Sequence, residues 1–265
     1  MPFLKDRPLT MERYPDGIAK DGFYQKEAPD YFPDWIRRVS IPVKSDQESQ
    51  QQLICDDEAS LVYLVDQGTL TFHPWLSRSD RLDYPDKLIF DLDPPSEDFE
   101  PVCFAARALH QILGEVELAS SLMTTGSSGL HVIVPLDRQA EFEDVRSFAK
   151  DLSNLLAMRE PEKLTTEMNK DKRGKRLFLD YLRNSYGQNS VAPYTLRPLP
   201  GAPVATPLRW DKLSDGDLDS QTYTISNIFR RLGQIDDPWK NTIYKKQSLT
   251  KARSILDRIR KDQTG

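Results

Sequence analysis

Cysteine and histidine are both scarce in this chain of 265 residues: it has two cysteines, Cys55 and Cys103, and three histidines. Neither cysteine belongs to a CxxC pair or to a histidine-rich neighbourhood, which argues against a disulfide scaffold and a clustered zinc site. Long apolar runs are missing too, so the sequence offers no bilayer-spanning helix. The opening stretch, MPFLKDRPLTMERYP, is charged and lacks the apolar centre of a signal peptide. A cytosolic protein with reduced thiols is the expected setting. Positive charge is in deficit as well, with 36 Lys and Arg against 41 Asp and Glu and a formal net charge of −5. Taken globally, that argues against a polyanionic ligand, because neutralising phosphates takes cations.

The distribution of charge says something else. Residues 163–183 carry Lys163, Lys170, Lys172, Arg173, Lys175, Arg176 and Arg183. Residues 240–261 hold eight basic residues against the single acid Asp257. Acids gather instead at 56–58, 80–98 and 211–219. Such runs are ordinarily solvated faces. Basic segments alternating with an acidic strand region would also bracket a metal site and a polyanion.

The length suits one large domain or two small ones. No internal repeat is present, and the polar run QESQQQ at 47–52 is too short to count as low complexity. The first forty residues, rich in proline and aromatics, predict packed irregular loop. Residues 61–65 and 70–72 predict a strand pair about Gln67 and Gly68. KLIFDLD at 87–93 predicts a buried strand stopped by Pro94 and Pro95. Residues 101–113 predict a helix with proline at its start and Gly114 at its end. Residues 116–125 and 130–135 predict strands joined by the turn GSSG. Residues 143–158 predict a second amphipathic helix, 176–182 and 190–195 further strands, and 249–259 a closing basic helix. This is an α+β pattern, a mixed sheet with helices on one face. The expected division is an N-terminal module (1–85), a core (86–210) and a C-terminal helical segment (211–265), together forming one domain.

Four segments carry chemistry. In a strand, residues i and i+2 share a face, so Asp91 and Asp93 present two carboxylates side by side while Phe90 and Leu92 point to the core. Adjacent carboxylates raise each other's pKa, and a cation removes that penalty; hard oxygens suit Mg²⁺ or Mn²⁺. Asp180 sits in the otherwise apolar LFLDYL and is costly to bury without a partner. It is either salt-bridged or the third carboxylate of a two-metal site of the polymerase kind. The turn TTGSSGLH at 124–131 offers backbone N–H groups and the hydroxyls of Thr125, Ser127 and Ser128 to phosphate, with His131 opening the next strand. The plainer alternative is a hairpin turn with a structural histidine. Arg197, in APYTLR, is placed to reach a phosphate bidentately or to form a surface ion pair.

Together these segments resemble the polymerase domain of bacterial and archaeal DNA ligase D, a branch of the archaeo-eukaryotic primase superfamily. The resemblance runs from about Arg13 to Trp210, through RYPDGI, GFYQK, HPW, FDLDP, the 124–131 turn, FLDY, APYTLR and VATPLRW. It implies an RRM-like sheet core with a packed N-terminal module. It implies an enzyme of non-homologous end joining that adds NTP or dNTP to the 3′-OH of gapped or overhanging DNA ends, with or without a template. Asp91, Asp93 and Asp180 match the family's ligands for two Mn²⁺ or Mg²⁺ ions. Thr125, His131 and Arg197, with Ser127 and Ser128, match positions that hold the incoming triphosphate; Lys26 and His73 lie near the nucleotide. Phe23 and Tyr24 match an aromatic pair that stacks on DNA, and Arg13, Arg173 and Lys175 fall on the DNA side. Ku and a separate ligase are the implied partners, in a nucleoid-associated cytoplasmic setting.

Ser128 stands where many relatives have lysine, and Arg183 near a position that is often glutamine, a change that would shift nucleotide preference. The chain begins after the lysine-bearing N-terminus with which many relatives read a 5′-phosphate, so a different or weaker reading of that group is expected. Two other functions compete. A strand ending in DxD also opens haloacid-dehalogenase-type phosphatases, although Pro94 and Pro95 do not fit that pattern. A non-catalytic nucleic-acid-binding relative is the other, against which all three carboxylates are present.

Overall fold

The computed structural model describes residues 1–42, 49–96 and 98–264, with side chains described to 262. The chain opens with β1 (Leu9–Arg13) and β2 (Phe23–Gln25), then the hairpin β3 (Arg38–Pro42) and β4 (Ser49–Leu53). Helix α1 (Glu58–Asp66) follows and leads back through β5 (Thr69–Pro74). β1 is the centre of an antiparallel sheet of order β2-β1-β5. All five of its residues are buried, Glu12 and Arg13 among them. Burial on both faces erases the alternation by which a strand is usually recognised, so β1, with β2 and the start of β3, interrupts a stretch that is otherwise the expected irregular loop.

Residues 61–65 form a helix, not the expected strand. Asp57 caps α1, its carboxylate accepting the Ser60 N–H at 2.7 Å, and Gly68 at φ 81° turns the chain into β5. A short apolar run fits either structure, and the cap decides between them. Of the polar run 47–52, residues 47 and 48 lie outside the described residues; the rest belongs to β4.

The hairpin β6 (Ser77–Arg78) and β7 (Arg81–Pro85) joins this module to the core. At the junction Arg7 Nη2 meets Asp86 Oδ2 at 2.6 Å and Arg78 Nε meets the same oxygen at 2.8 Å. Burial opposes the charge on Asp86, but Arg7 and the neighbouring Lys87 and Arg78 outweigh it and bring the carboxyl down to about 2. This folded value lies below the ordinary carboxylate value. The stabilisation is therefore complete above about pH 4 and is lost as pH falls toward 2. Asp86→Asn is expected to cost about 3 kcal/mol at neutral pH and to flatten the loss of stability between pH 4 and 2. Denaturant titrations across that range would contradict this if the variant kept the wild-type acid slope.

The core is β8 (Lys87–Leu92), α2 (Glu100–Glu115), β9 (Ser121–Thr124), β10 (Leu130–Pro135) and α3 (Phe142–Arg159). After it come the short parallel pair β11 (Leu164–Thr165) and β12 (Leu177–Phe178), then β13 (Pro207–Leu208), α4 (Ile228–Leu232) and α5 (Leu249–Thr264). The sheet order is β13-β9-β10-β8, with antiparallel neighbours. β8 and β9 thus run the same way with β10 between them, and α2 is the crossover. The expected helices are present within a few residues of their expected ends. Strand β9 starts later than expected, because residues 116–118 finish the turn after α2, with Glu117 at φ 61°.

Leu88, Phe90 and Leu92 pack with Leu109, Ile112, Phe148 and Leu152 of the two helices. Ile89 and Ile133 face the other way and pack with Trp239, whose indole N–H donates to Leu122 O at 2.9 Å. Asp91, two residues after Ile89, belongs to this second face.

The edge of β8 is completed by a turn. Asp180 bridges Asp91 antiparallel, and the Asn184 side chain accepts from Ile89 N at 2.8 Å and donates to Ile89 O at 2.7 Å. An amide side chain thus satisfies the backbone that a further strand would have paired. Residues 176–182 consequently give only the two residues of β12. Asp180 Oδ1 then accepts the Leu182 N–H at 2.8 Å and turns the chain. Residues 190–195 bond to β5 through Ser190 and Ala192, but Pro193 and Tyr194 (φ 66°) break the ladder before it becomes a strand. Among the described residues no helix is long and apolar enough to cross a membrane.

Candidate active site

Two clefts open at the end of β8 and share Asp91 and Asp93. The first, about 340 Å³, is walled by Tyr24, His73, Thr125, Ser127, Ser128, His131, Arg183, Asn189 and Arg197. The second, about 460 Å³, is walled by Pro94, Pro95, Lys170, Arg173, Arg176, Phe178 and Asp180. One strand end therefore belongs to a hydroxyl- and histidine-lined pocket on one side and a basic pocket on the other.

Asp91 is buried and His131 is its direct partner across the β10–β8 ladder. His131 Nε2 lies 3.3 Å from Asp91 Oδ1, and Arg183 reaches Oδ2 with Nη2 at 2.7 Å and Nε at 3.1 Å. Burial works against the charge of Asp91, but His131 and Arg183 outweigh it and hold the carboxyl well below the usual range. Asp93 is exposed and accepts the Ser128 hydroxyl at 2.6 Å. Asp180 is half-buried; burial, joined by the charge of Asp91, pushes its carboxyl up.

Among the described residues, no three His, Cys, Asp or Glu are gathered into a ready-made metal cage. The donors nonetheless suit a hard divalent ion. They are all carboxylate oxygens at one strand end, Asp180 carries a penalty that a cation would remove, and Asp91 already holds a cationic partner in Arg183.

The 125–129 turn is built around Thr125. Its hydroxyl oxygen accepts from Gly129 N at 3.1 Å and Ser127 N at 3.3 Å, and Gln221 Nε2 secures Ser127 O at 2.9 Å. Gly126 stands at φ 70°, and a β-carbon there would come 2.8 Å from Arg197 Cγ. At Gly129 it would fall 2.0 Å from Leu92 O. Glycine at both positions lets the turn press against β8 and against Arg197. Arg197 Nε and His131 Nδ1 are buried without a hydrogen-bond partner.

Residues 12 and 73 were not both legible. His73 Nε2 lies 3.9 Å from Glu12 Oε2, and Tyr14 donates to Glu12 Oε1 at 3.0 Å. His73 and Tyr14 keep Glu12 below its usual value, while burial pushes His73 down. No spacing marks Glu12, a single acid inside LTMER. Arg183 stands out in the sequence only as a departure from glutamine, not as the partner of Asp91.

Arg13, Phe23, Lys26 and Lys175 line neither cleft. Arg13, expected on the DNA side, is buried; its guanidinium donates to Gln67 O at 2.9 and 2.7 Å and to Tyr31 at 3.1 Å, clamping the N-terminal sheet. Lys26 and Lys175 are exposed. Phe23 and Tyr24 are 47% and 61% exposed, and the Tyr24 ring sits 5.8 Å from His73.

Carboxylates at a strand end between two polar clefts form a site that would hold a divalent cation against an anionic ligand. The family model described as LigD, primase-polymerase domain, matches residues 1–239, and the chain belongs to this family. It is 32% identical over 235 residues to the bifunctional non-homologous end joining protein LigD of Bacillus subtilis, covering 88% of this chain and 37% of that protein. It is 31% identical over 252 residues to the multifunctional LigD of Pseudomonas aeruginosa, covering 94% of this chain and 30% of that protein. The chain thus spans well under half the length of either relative. It also matches the polymerase domain of Mycobacterium tuberculosis ligase D, solved in complex with DNA, with a TM-score of 0.85 at 26% identity, covering 92% of this chain and 87% of that one. Membership of this family sets aside the DxD-type phosphatase.

Proposed function

We propose that this chain is a DNA-end-processing polymerase that adds NTP or dNTP to a 3′-OH, templated or not, and fills gaps in non-homologous end joining. The observation that supports it most is the meeting of two clefts on the shared pair Asp91 and Asp93. The first cleft suits a triphosphate, the second a primer strand.

Asp91, Asp93 and Asp180 would hold two Mg²⁺ or Mn²⁺ ions, which when bound lower the pKa of a primer hydroxyl and offset charge on the triphosphate. The protein's own groups do the rest. Arg197, whose Nε is buried without a partner, donates to the triphosphate from the cleft wall, with His131 beside it. Ser127 and Ser128 add hydroxyls, Thr125 shapes the turn, and His73 with Tyr24 closes the nucleotide side of the cleft. Lys170, Arg173 and Arg176 track primer phosphates. Phe23 and Tyr24 stack on bases. Lys26 and Lys175 make outlying phosphate contacts, and Arg13 acts indirectly by holding the sheet that carries the two aromatics. The setting is the nucleoid of the cytoplasm, beside Ku and a DNA ligase activity.

Arg197→Ala is expected to raise the nucleotide KM about ten-fold or more with a smaller change in kcat, since it removes a contact made already in the ground state. Steady-state kinetics would contradict this with a fall in kcat alone. The proposal itself is tested with a 3′-overhanging duplex and nucleotide labelled at the α-phosphate. One pyrophosphate released per label incorporated supports it; release of inorganic phosphate without incorporation overturns it.

A further inference from the structure

Asp91 is paired before any metal or nucleotide arrives. Arg183 places two N–H groups on its Oδ2, so the carboxylate expected to bind the ions already faces a full positive charge. The two members of this pair differ in freedom. The Asp91 side chain is 7% exposed and fixed on β8, whereas Arg183 is 36% exposed and lies on the wall of the first cleft. The backbone beneath Arg183 is pinned by Asn184 on Ile89 and by Asp180 on the Leu182 N–H. The guanidinium can therefore leave Asp91 by side-chain rotation alone, into a cleft that also holds Arg197 and His131.

We propose that Arg183 is an exchangeable counter-ion: it neutralises Asp91 in the metal-free protein and passes to the triphosphate when metal and nucleotide enter together. This deepens the nucleotidyltransferase reading and rests on it. A bare divalent ion must displace a guanidinium that then has no anion to meet. An ion arriving with a triphosphate brings that anion with it. Arg183 therefore weakens binding of metal alone and strengthens binding of the metal–nucleotide pair, a thermodynamic coupling between the two ligands. The arrangement also keeps the carboxylates together, limiting their mutual repulsion while the site is empty.

The test uses the whole chain, with free Mn²⁺ counted by electron paramagnetic resonance in the presence and absence of a non-hydrolysable nucleoside triphosphate. Wild type is expected to bind Mn²⁺ markedly tighter with the nucleotide than without, once the Mn²⁺ held by the same nucleotide in the absence of protein is subtracted. Arg183→Gln is expected to bind Mn²⁺ alone about ten-fold tighter or more, since one cation no longer competes at contact distance, and to lose most of the nucleotide's effect. Arg183→Lys, which keeps the charge, is expected to stay near wild type for metal alone. Unchanged or weaker binding of Mn²⁺ alone by Arg183→Gln would overturn the proposal and leave the polymerase reading standing. Should that variant fail to fold, equal Mn²⁺ affinity of wild type with and without nucleotide would overturn it instead. Wild type that binds no Mn²⁺ under either condition would overturn both.

Discussion

Asp91→Asn is expected to lower the rate of nucleotide addition on the order of 10³-fold or more while leaving DNA affinity near wild type. The substitution keeps the size of the side chain but removes the charge that both clefts share. Asp91 Oδ2 holds Arg183 and Oδ1 faces His131 at 3.3 Å, so an amide keeps an acceptor for one of them and turns an NH2 donor toward the other. An amide oxygen is also a poorer ligand for a hard ion than a carboxylate. DNA affinity is expected to survive because Lys170, Arg173 and Arg176 lie on the other wall of the second cleft. Single-turnover extension and fluorescence anisotropy separate the two effects. Asp93→Asn is the control for folding, because Asp93 is exposed and its side chain bonds only to Ser128 among the described hydrogen bonds. Asp91→Asn with a rate within ten-fold of wild type would contradict this account.

Gly129→Ala is the second large effect. Its β-carbon would stand 2.0 Å from Leu92 O and 3.0 Å from Asp93 Oδ1. Leu92 lies between the two carboxylates, on a strand that cannot retreat because Leu88, Phe90 and Leu92 are packed against both helices. The 125–129 turn must move instead, carrying Ser127 and Ser128 with it. Overpacking of this kind costs about 1–3 kcal/mol. A displacement near 1 Å in a catalytic constellation costs about 10²-fold in rate. Thermal melts and extension kinetics on the same preparation are expected to show a modest loss of stability and a large loss of rate. A variant with wild-type activity would show that the turn does not position the site.

The sequence was informative where a single element sets the outcome. KLIFDLD declared its strand and its paired carboxylates, since Ile89 and Asp91 had to share one face and Phe90 and Leu92 the other. The α2 and α3 stretches declared their apolar stripes. What escaped were features set by tertiary neighbours. β1 is buried on both faces, so LTMER carries no alternation. The helix at 58–66 was hidden in a five-residue apolar run, although Asp57, the cap that settles it, was there to be read. Asn184 replaces a strand neighbour through its side chain, which no period reveals. At the site, the resemblance pointed to the acids, the glycine turn and Arg197, all of which line the clefts. It did not predict that Arg13 is enclosed, that Glu12 stands behind His73, or that Arg183 is the partner of Asp91. These depend on which segments fold against one another.

The most direct measurement is extension of a 5′-labelled primer across a one-nucleotide gap bearing a downstream 5′-phosphate, with Mn²⁺ and either NTP or dNTP. A product one nucleotide longer is expected with wild type, no product when the metal is chelated, and none with Asp91→Asn. DNA that is bound but never extended, with either ion and either sugar, would contradict the polymerase reading.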